Sequence, residues 1–302
     1  MIDIESVPYG GWNKTIRISN RNVEAIVTQE VGPRILRFAF KGEKNILGEL
    51  PGQLGGHDEK EWMIRGGHRL WIAPEAKPRS YELDNVPIKI TVSGNKVTTL
   101  QEPGALTGIQ KRIEVELAPD RNALTLTHRL TNRGRKPFEL APWALTVMTR
   151  RGTAIIPMPE TIPHFKRLTH NQQWSLWGYT DLSDPRWTIR PRYMLFRQDP
   201  KRPANKLGIA HQEGWVGYHL GSTLFVKRFD YVKNGVYPDG GVNFETFSNE
   251  DILELESLGP LVTLAPGKSV AHKEVWSLHR NVAACRSDAD FKRIEKLARE
   301  YA

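Results

Sequence analysis

The chain has 302 residues, a formal net charge of +9 and one cysteine, Cys285. A single cysteine excludes an intrachain disulfide, and no apolar run is long enough to span a bilayer. The first ten residues lack the basic start and apolar core of a signal peptide, so we expect a cytoplasmic protein without membrane association.

Short runs that alternate apolar and polar residues follow one another along most of the chain. Alternation with a period of two is typical of half-buried β-strands, and turn signals rich in Gly, Pro and Asn separate the runs. Two of the runs, joined by a Pro-Asp-Arg-Asn turn, predict a hairpin. The strand-like runs cover residues 16–18, 23–27, 88–92, 113–117, 124–130, 138–148, 224–229, 252–258 and 270–278.

Many antiparallel strands in tandem predict an all-β protein built as a large two-sheet antiparallel sandwich. Residues 157–205 break the rhythm with many Pro, Arg and Trp residues, and long segments of this kind are often functional. Near the end, Ser287 and Asp290 resemble a capping box, and apolar residues then recur at helical spacing as far as Tyr301. We therefore expect a single domain over residues 1–302, with its core at about 12–280, a loop-rich excursion at 157–205 and a helix at 287–302.

Residues 64–75 form the first polar segment with a potential chemical role. A Gly66-Gly67 pair permits positive φ or close backbone approach, and arginine suits bidentate contact with phosphate, carboxylate or vicinal hydroxyls. Polar density beside such a turn is typical of a binding site, although a tight turn with ordinary surface charges is the alternative. The candidate site residues here are Arg65, His68, Arg69, Trp71 and Glu75.

Residues 252–258 contain two carboxylates at strand spacing. Glu254 and Glu256 would share one face, about 7 Å apart, while Leu253 and Leu255 fill the sandwich. Like charges at that distance, if partly desolvated, raise the pKa of one group, as a general base near neutral pH requires. An ordinary solvated strand face is the alternative.

Other candidate residues carry weaker signals. Asp239 lies in a Pro-Asp-Gly-Gly turn and either caps that turn or accepts hydrogen bonds from sugar hydroxyls. His128, on an apolar strand face, is interpreted as a hydrogen-bonded core histidine. The sequence has no CxxC, HExxH or paired-His spacing and no phosphate-binding glycine loop, so we expect no metal and no cofactor.

A family resemblance joins several of these segments. Residues 32–36, 40–42 and 45–47 resemble the opening strands of aldose and hexose-6-phosphate mutarotases. The Arg65-Gly66-Gly67 stretch resembles the hexose-phosphate branch, in which the arginine binds substrate. The closest resemblance is to an uncharacterised bacterial branch with Gly-Gly-His-Arg-Leu-Trp and Ala-Pro-Trp signatures. The resemblance covers about residues 16–278 and implies a galactose-mutarotase-like super-sandwich with a sugar site on its concave face.

The resemblance also implies a mechanism. Leu255-Glu256-Ser257 is similar to the segment with the catalytic glutamate, which takes the proton of the anomeric hydroxyl group while a histidine protonates the ring oxygen. The stretch that matches the histidine segment carries Trp143, whose indole cannot act as an acid. Trp143 is therefore interpreted as a sugar platform. Either His68 has taken the acid role, or mutarotation has been lost.

Three functions remain open at this point. The first is an epimerase-like enzyme with Glu256 as base and His68 as acid, in which Arg65 and Arg69 bind an anionic group. The second is a non-catalytic carbohydrate sensor or binding domain that uses the same residues. In both, indole rings would stack on the sugar. The third is a nucleic-acid-binding β-protein, which only the basic charge suggests. We expect a sugar or an acidic or phosphorylated saccharide as the partner; the sequence does not identify the sugar or the oligomeric state.

Overall fold

The computed structural model describes residues 1–300, which form two large antiparallel β-sheets. Tyr301 and the last residue of the predicted helix lie outside the described residues. Within residues 1–300, no helix is both long and apolar enough to cross a membrane. The strands in chain order are β1 (Asp3–Tyr9), β2 (Trp12–Ser19), β3 (Val23–Thr28), β4 (Arg34–Phe40), β5 (His68–Ala73), β6 (Lys89–Ser93), β7 (Lys96–Leu100), β8 (Ile109–Leu117), β9 (Ala123–Asn132), β10 (Phe138–Met148), β11 (Thr153–Pro157), β12 (Trp174–Leu176), β13 (Trp187–Ile189), β14 (Tyr193–Arg197), β15 (Asn205–Ile209), β16 (Trp215–Leu220), β17 (Thr223–Phe229), β18 (Phe244–Ser248), β19 (Leu253–Leu258), β20 (Val262–Leu264) and β21 (Ser269–His279).

The helical elements are short. They are the turn α1 (Pro238–Gly241), the C-terminal helix α2 (Asp288–Arg299) and 3₁₀ turns at Pro51–Gln53, Arg79–Tyr81 and His164–Lys166. The first sheet is ordered β1-β2-β3-β4-β5-β10-β19-β18-β15-β12, with β20 paired to β10. The second sheet is ordered β13-β14-β11-β16-β17-β21-β9-β8-β7-β6. The predicted all-β, two-sheet antiparallel sandwich with a short C-terminal helix is confirmed.

The core lies between the facing sides of the two sheets. Alternation along β8 buries Ile113 and Val115 while their neighbours stay half-exposed, as a period of two requires. These side chains join one large apolar cluster with residues of the first sheet such as Phe38 and Leu70. Full burial of each such side chain contributes roughly 1.5–3 kcal/mol, so this layer is the main source of stability.

Helix α2 covers part of the outer face of the second sheet. Ser287 is its N-cap, and the predicted capping box with Asp290 is present. Phe291 stacks against Tyr193 at 4.8 Å between ring centroids and lies 6.0 Å from Trp215. The helix therefore covers part of the second sheet, whereas β5 and β19 of the first sheet present Arg69, Glu254 and Glu256 on the outer face.

The segment 157–205 is more ordered than the predicted excursion. It contains β12 at an edge of the first sheet and β13 and β14 at an edge of the second. Trp187 stacks on Phe196 at 3.6 Å, which fixes β13 against β14. Strands β12 and β13 have three residues each, too few for a period of two to be seen in the sequence.

Candidate functional site

A cleft of about 380 Å³ opens on the outer face of the first sheet. Its floor crosses five neighbouring strands, β5, β10, β19, β18 and β15. Strand register places Arg69 opposite Leu145, Leu145 opposite Glu256, and Glu256 opposite Glu245. Directly paired residues share a face of the sheet, so these side chains form one row across the floor. Lys206 of β15 closes the floor on the far side.

Aromatic side chains form the wall of the cleft. The Trp71 ring lies 4.7 Å from Trp62, 4.9 Å from Tyr81 and 5.6 Å from Trp143. Tyr179, half exposed, contributes to the lining from the segment between β12 and β13. Such rings offer an apolar face together with a polar N–H or O–H group, the combination that suits the C–H face and hydroxyls of a sugar.

The charged groups on the floor are paired with one another. Lys206 Nζ lies 2.6 Å from Glu245 Oε2 and 3.3 Å from Glu256 Oε2. Arg69 Nη1 donates to Glu254 Oε1 at 2.8 Å. All five groups are nearly buried, so their interactions are screened by water far less than those of surface pairs.

Two indoles surround the charged end of Lys206. Its Nζ lies 5.1 Å from the ring centroid of Trp143 and 4.6 Å from that of Trp177. Trp143 Nε1 also donates to Glu256 Oε2 at 3.1 Å. One oxygen of Glu256 is thus held by Trp143 and Lys206 together, which fixes the orientation of the carboxyl group.

Burial changes the proton affinities of these groups. Burial raises the pKa of Glu256; Glu254 adds to this effect, and Lys206 opposes it. Burial likewise raises the pKa of Glu245 well above its usual value. Burial alone would lower the pKa of Lys206, but Glu256 and Glu245 outweigh it and raise that pKa. Lys206 therefore keeps its charge, and Glu256 is a stronger base than an exposed glutamate.

Several buried polar atoms at the cleft have no hydrogen-bond partner among residues 1–300. They include Oε1 of Glu256 and of Glu245, and the indole N–H groups of Trp62 and Trp71. Leaving a buried donor or acceptor unpaired costs about 1–3 kcal/mol, so such groups are normally satisfied. Both acceptors and donors are thus available for a ligand that carries hydroxyl groups.

Most of the predicted site residues meet in this cleft. The pair Leu253 and Leu255 points into the core, as expected, and the two glutamates of that strand point outward. The predicted residues that line the cleft are Arg69, Trp71, Glu75, Trp143, Glu254 and Glu256.

His68 lies on the opposite face of the sheet. Alternation along β5 sends Arg69 and Trp71 outward and His68 into the layer between the sheets, where it has no solvent exposure. Its Nδ1 is 2.9 Å from Thr146 Oγ1 and its Nε2 is 2.7 Å from His128 Nε2. His68 therefore has no path to a sugar held in the cleft, and the expectation that it lines the same pocket as Glu256 is wrong.

Arg65 is also absent from the cleft lining. Its guanidinium is fully buried, with Nη2 2.5 Å from Glu59 Oε2 and Nη1 donating to the Gln53 carbonyl oxygen at 2.8 Å. Its backbone has φ of 53°, so the residue fixes the loop before β5 rather than contacting a ligand. The expectation that Arg65 shares the pocket is wrong for this reason.

Asp239 lies in the α1 turn outside the cleft lining. Its φ is 53°, and its carbonyl oxygen accepts a hydrogen bond from Ser175 Oγ at 2.6 Å. The negative charge of Asp239 contributes to the raised pKa of Glu245, so it acts on the cleft from a distance. Of the two roles expected for Asp239, these backbone contacts support the role in the turn.

A second polar cluster, the interlayer network, lies beneath the cleft between the sheets. Lys227 Nζ is 2.9 Å from Glu274 Oε1, and His68, His128 and His272 surround this pair. Burial lowers the pKa of each of the three histidines, which favours neutral rings. His128 is thus the buried, hydrogen-bonded core histidine that the sequence indicates.

The interlayer network also has ligand atoms spaced for a metal. Atoms of His68, His128 and Glu274 lie within 4.8 Å of one another. The Lys227 ammonium contacts the same carboxylate, and it also donates to two backbone carbonyl oxygens and to Thr146. The Lys227 ammonium therefore already occupies the side of the Glu274 carboxylate that a metal ion would need.

Lys206 and Glu245 are the functional residues that sequence reasoning missed. Lys206 is the second residue of β15 and directly follows the segment that was expected to be a loop, so its face was not assigned. Glu245 ends the Pro-Asp-Gly-Gly segment, in which attention fell on Asp239. Period-two alternation over Phe244–Ser248 would have placed Glu245 and Phe247 on one face.

Solved structures of low sequence identity share this architecture. Slr1438 from Synechocystis sp. PCC 6803 aligns with a TM-score of 0.60 and 13% identity, over 93% of this chain and 100% of that one. A galactose mutarotase-like protein from Lactobacillus casei ATCC 334 gives 0.60 and 12%, over 88% and 100%. A galactose mutarotase related enzyme from Lactobacillus acidophilus gives 0.56 and 9%, over 90% and 100%.

The comparisons with sequences gave no match. No protein-family model matches the chain, and no curated protein matches it. The structural likeness extends over nearly the whole of both chains, and it agrees with the resemblance seen in the sequence. The chain therefore shares the fold of these solved structures, which include galactose mutarotase-like proteins.

Proposed function

We propose that the cleft binds a saccharide and that Glu256 is the general base of an aldose epimerase-like reaction at its anomeric carbon. The observation that carries this proposal is the state of the Glu256 carboxyl group. One oxygen is held by Trp143 and Lys206, and the other is buried at the cleft without a partner among the described residues. An oriented, desolvated carboxylate with one free oxygen is suited to accept a hydroxyl proton.

The remaining cleft residues have supporting roles in this proposal. Trp71 and Trp143 contact the sugar ring, and the free N–H of Trp71 donates to a hydroxyl group. Arg69 holds Glu254 and so fixes the second carboxylate of β19. When Glu256 removes the proton of the anomeric hydroxyl group, C1 becomes a carbonyl carbon, and the ring oxygen must receive a proton as its bond to C1 breaks. The donors that line the cleft are Lys206 and the tyrosine hydroxyls.

A non-catalytic saccharide-binding protein is the second candidate. Two observations favour it: Trp143 occupies the place of the acid histidine in the resembling family, and His68 faces the interlayer network instead of the cleft. Lys206 is also a weak proton donor, because Glu256 and Glu245 raise its pKa. Both candidates use the same cleft and differ only in whether a proton reaches the ring oxygen.

Two measurements on the purified protein test the proposal. Calorimetry with neutral aldoses should detect binding, and exchange NMR with the sugar that binds should show anomer interconversion above the uncatalysed rate. Binding with exchange supports the enzyme, whereas binding without exchange supports the second candidate. No binding of any sugar, amino sugar or sugar phosphate would contradict both.

A further inference from the structure

The charges at the cleft oppose the net charge of the chain. Three carboxylates, Glu75, Glu254 and Glu256, line the cleft together with two cations, Arg69 and Lys206. Glu245 lies directly behind Lys206, so the acidic groups outnumber the basic groups by two. The whole chain has a net charge of +9, so the balance of charged groups at the cleft is opposite in sign to that of the chain as a whole.

Both cations of the cleft are already in contact with carboxylates. Arg69 is paired with Glu254, and Lys206 is shared between Glu245 and Glu256. A phosphate group placed there would compete with carboxylates that are already in contact, and it would lie beside them in a region of low dielectric. Repulsion between desolvated like charges is costly, whereas exposed charges repel weakly.

The unpartnered atoms indicate what the cleft lacks. Glu256 is 1% exposed and Glu245 is 1% exposed, and the Oε1 atom of each has no hydrogen-bond partner among residues 1–300. Burial raises the pKa of both groups because it removes water from the carboxylates. A cation close to these carboxylates would offset part of their negative charge in a region of low dielectric.

The aromatic wall is compatible with a cation. Lys206 already places one ammonium against the indoles of Trp143 and Trp177, at 5.1 and 4.6 Å from the ring centroids. The Arg69 guanidinium lies 4.6 Å from the Trp71 ring. Cation–π contacts of this kind contribute about 0.5–2 kcal/mol, more when the pair is desolvated. The indoles of this cleft therefore already stabilise buried positive charge beside them.

We infer that the cleft selects a saccharide with a free amino group, an amino sugar in its protonated form, over neutral and phosphorylated sugars. This inference rests on the proposed function, since it concerns the ligand of the same cleft. The ammonium would lie near Glu75 and Glu254 at the aromatic wall, and Glu256 Oε1 would stay available to the anomeric hydroxyl group. The sequence suggested a phosphorylated ligand because Arg65 and Arg69 were expected to bind an anionic group. Arg65 lies outside the cleft lining and Arg69 is paired with Glu254, so that reason no longer applies.

The test is calorimetry with matched forms of one hexose, in the glucose and in the galactose series. The forms are the parent sugar, the 2-amino and 6-amino sugars, the N-acetylated 2-amino sugar and the 6-phosphate. A salt concentration near 0.15 M screens the basic surface, so that weak attraction of the phosphate to the outside is suppressed. We expect one amino form to bind at least tenfold more tightly than the parent and N-acetylated forms, and the phosphate to bind most weakly.

Charge variants separate the cleft from the rest of the surface. Glu256→Gln removes one negative charge with little change in shape and should reduce the preference for the amino form at least tenfold. Glu102→Gln removes the same charge from an exposed position outside the cleft and should leave the preference unchanged. Equal affinity for the amino and parent sugars, or tighter binding of the phosphate, would overturn the inference and leave the proposed function intact. Failure of all forms to bind would contradict the proposed function as well.

Discussion

Lys206 Nζ lies 3.3 Å from Glu256 Oε2 and 2.6 Å from Glu245 Oε2, so one buried ammonium balances two buried carboxylates. Breaking a buried ion pair by removing one partner costs about 3–5 kcal/mol, because the remaining charges are left uncompensated. We expect Lys206→Met to lower the free energy of unfolding at pH 7 by about that amount. Urea denaturation measures the loss, and Lys206→Arg should recover most of it.

Acidification separates this charge effect from a packing effect. Without the Lys206 ammonium, Glu245 and Glu256 of the folded variant should bind protons more readily. The stability of Lys206→Met relative to wild type should therefore increase as the pH is lowered from 7 to 5. Lys41→Met, at an exposed position, is the control and should change stability by less than about 0.5 kcal/mol. A Lys206→Met loss as small as that of the control would contradict the proposed charge balance.

The indole N–H of Trp71 is predicted to bind the ligand. Trp71→Phe keeps an aromatic face but removes the donor, and a single neutral hydrogen bond contributes about 0.5–1.5 kcal/mol. We therefore expect calorimetry to show a two- to tenfold loss of sugar affinity. Trp187→Phe is the matched control, since Trp187 stacks on Phe196 at the edge of the second sheet. Equal losses in the two variants would show that the effect is not local to the cleft.

Glu256→Gln is predicted to separate chemistry from binding if the protein is an enzyme. Glutamine keeps the shape and an acceptor oxygen but cannot take a proton at neutral pH, so anomer exchange should fall about 10²–10⁴-fold while affinity for a neutral sugar changes little. Glu254→Gln should have the smaller effect, because Arg69 occupies one oxygen of Glu254. Exchange NMR on both variants measures these losses. A larger loss from Glu254→Gln than from Glu256→Gln would show that Glu256 is not the base.

Buried histidines are predicted to make folding sensitive to acid. His211 lies in the core between Phe229 and Phe244, and burial lowers its pKa to about 3. Between pH 6.5 and pH 3 the unfolded chain binds a proton on this residue that the folded protein does not, so stability rises with pH. The contribution of neutral, buried His211 to the free energy of unfolding is complete above pH 6.5 and is lost as the pH falls towards 3.

The variant His211→Leu should remove that dependence. The slope of unfolding free energy against pH should decrease by up to about 1.4 kcal/mol per pH unit in this range. His164→Gln, at an exposed position, serves as the control and should leave the slope unchanged. Identical slopes for wild type and His211→Leu, measured by urea denaturation from pH 4 to pH 7, would contradict this assignment.

Local periodicity predicted the parts of the site that lie within one strand. The alternation at Leu253, Glu254, Leu255 and Glu256 placed two side chains in the core and two on the outside, as observed. The same rule applied to residues 68–71 would have separated His68 from Arg69 and Trp71. That segment was interpreted as a loop because of its glycines, and the error for His68 follows from this.

Pairing between distant strands could not be predicted from the chain alone. Lys206 and Glu256 are separated by 50 residues and meet because β18 lies between β15 and β19. Which strands become neighbours depends on the packing of the whole sandwich, and no local pattern records it. The resemblance to mutarotases supplied the overall fold, but it carried no information about Lys206.

A crystal structure with the saccharide that calorimetry selects would test the central claim most directly. The account predicts a sugar ring against Trp71 and Trp143, with the anomeric hydroxyl group within hydrogen-bond distance of Glu256 Oε1. A sugar bound at any other surface of the protein, with Glu256 Oε1 left without a ligand contact, would contradict it.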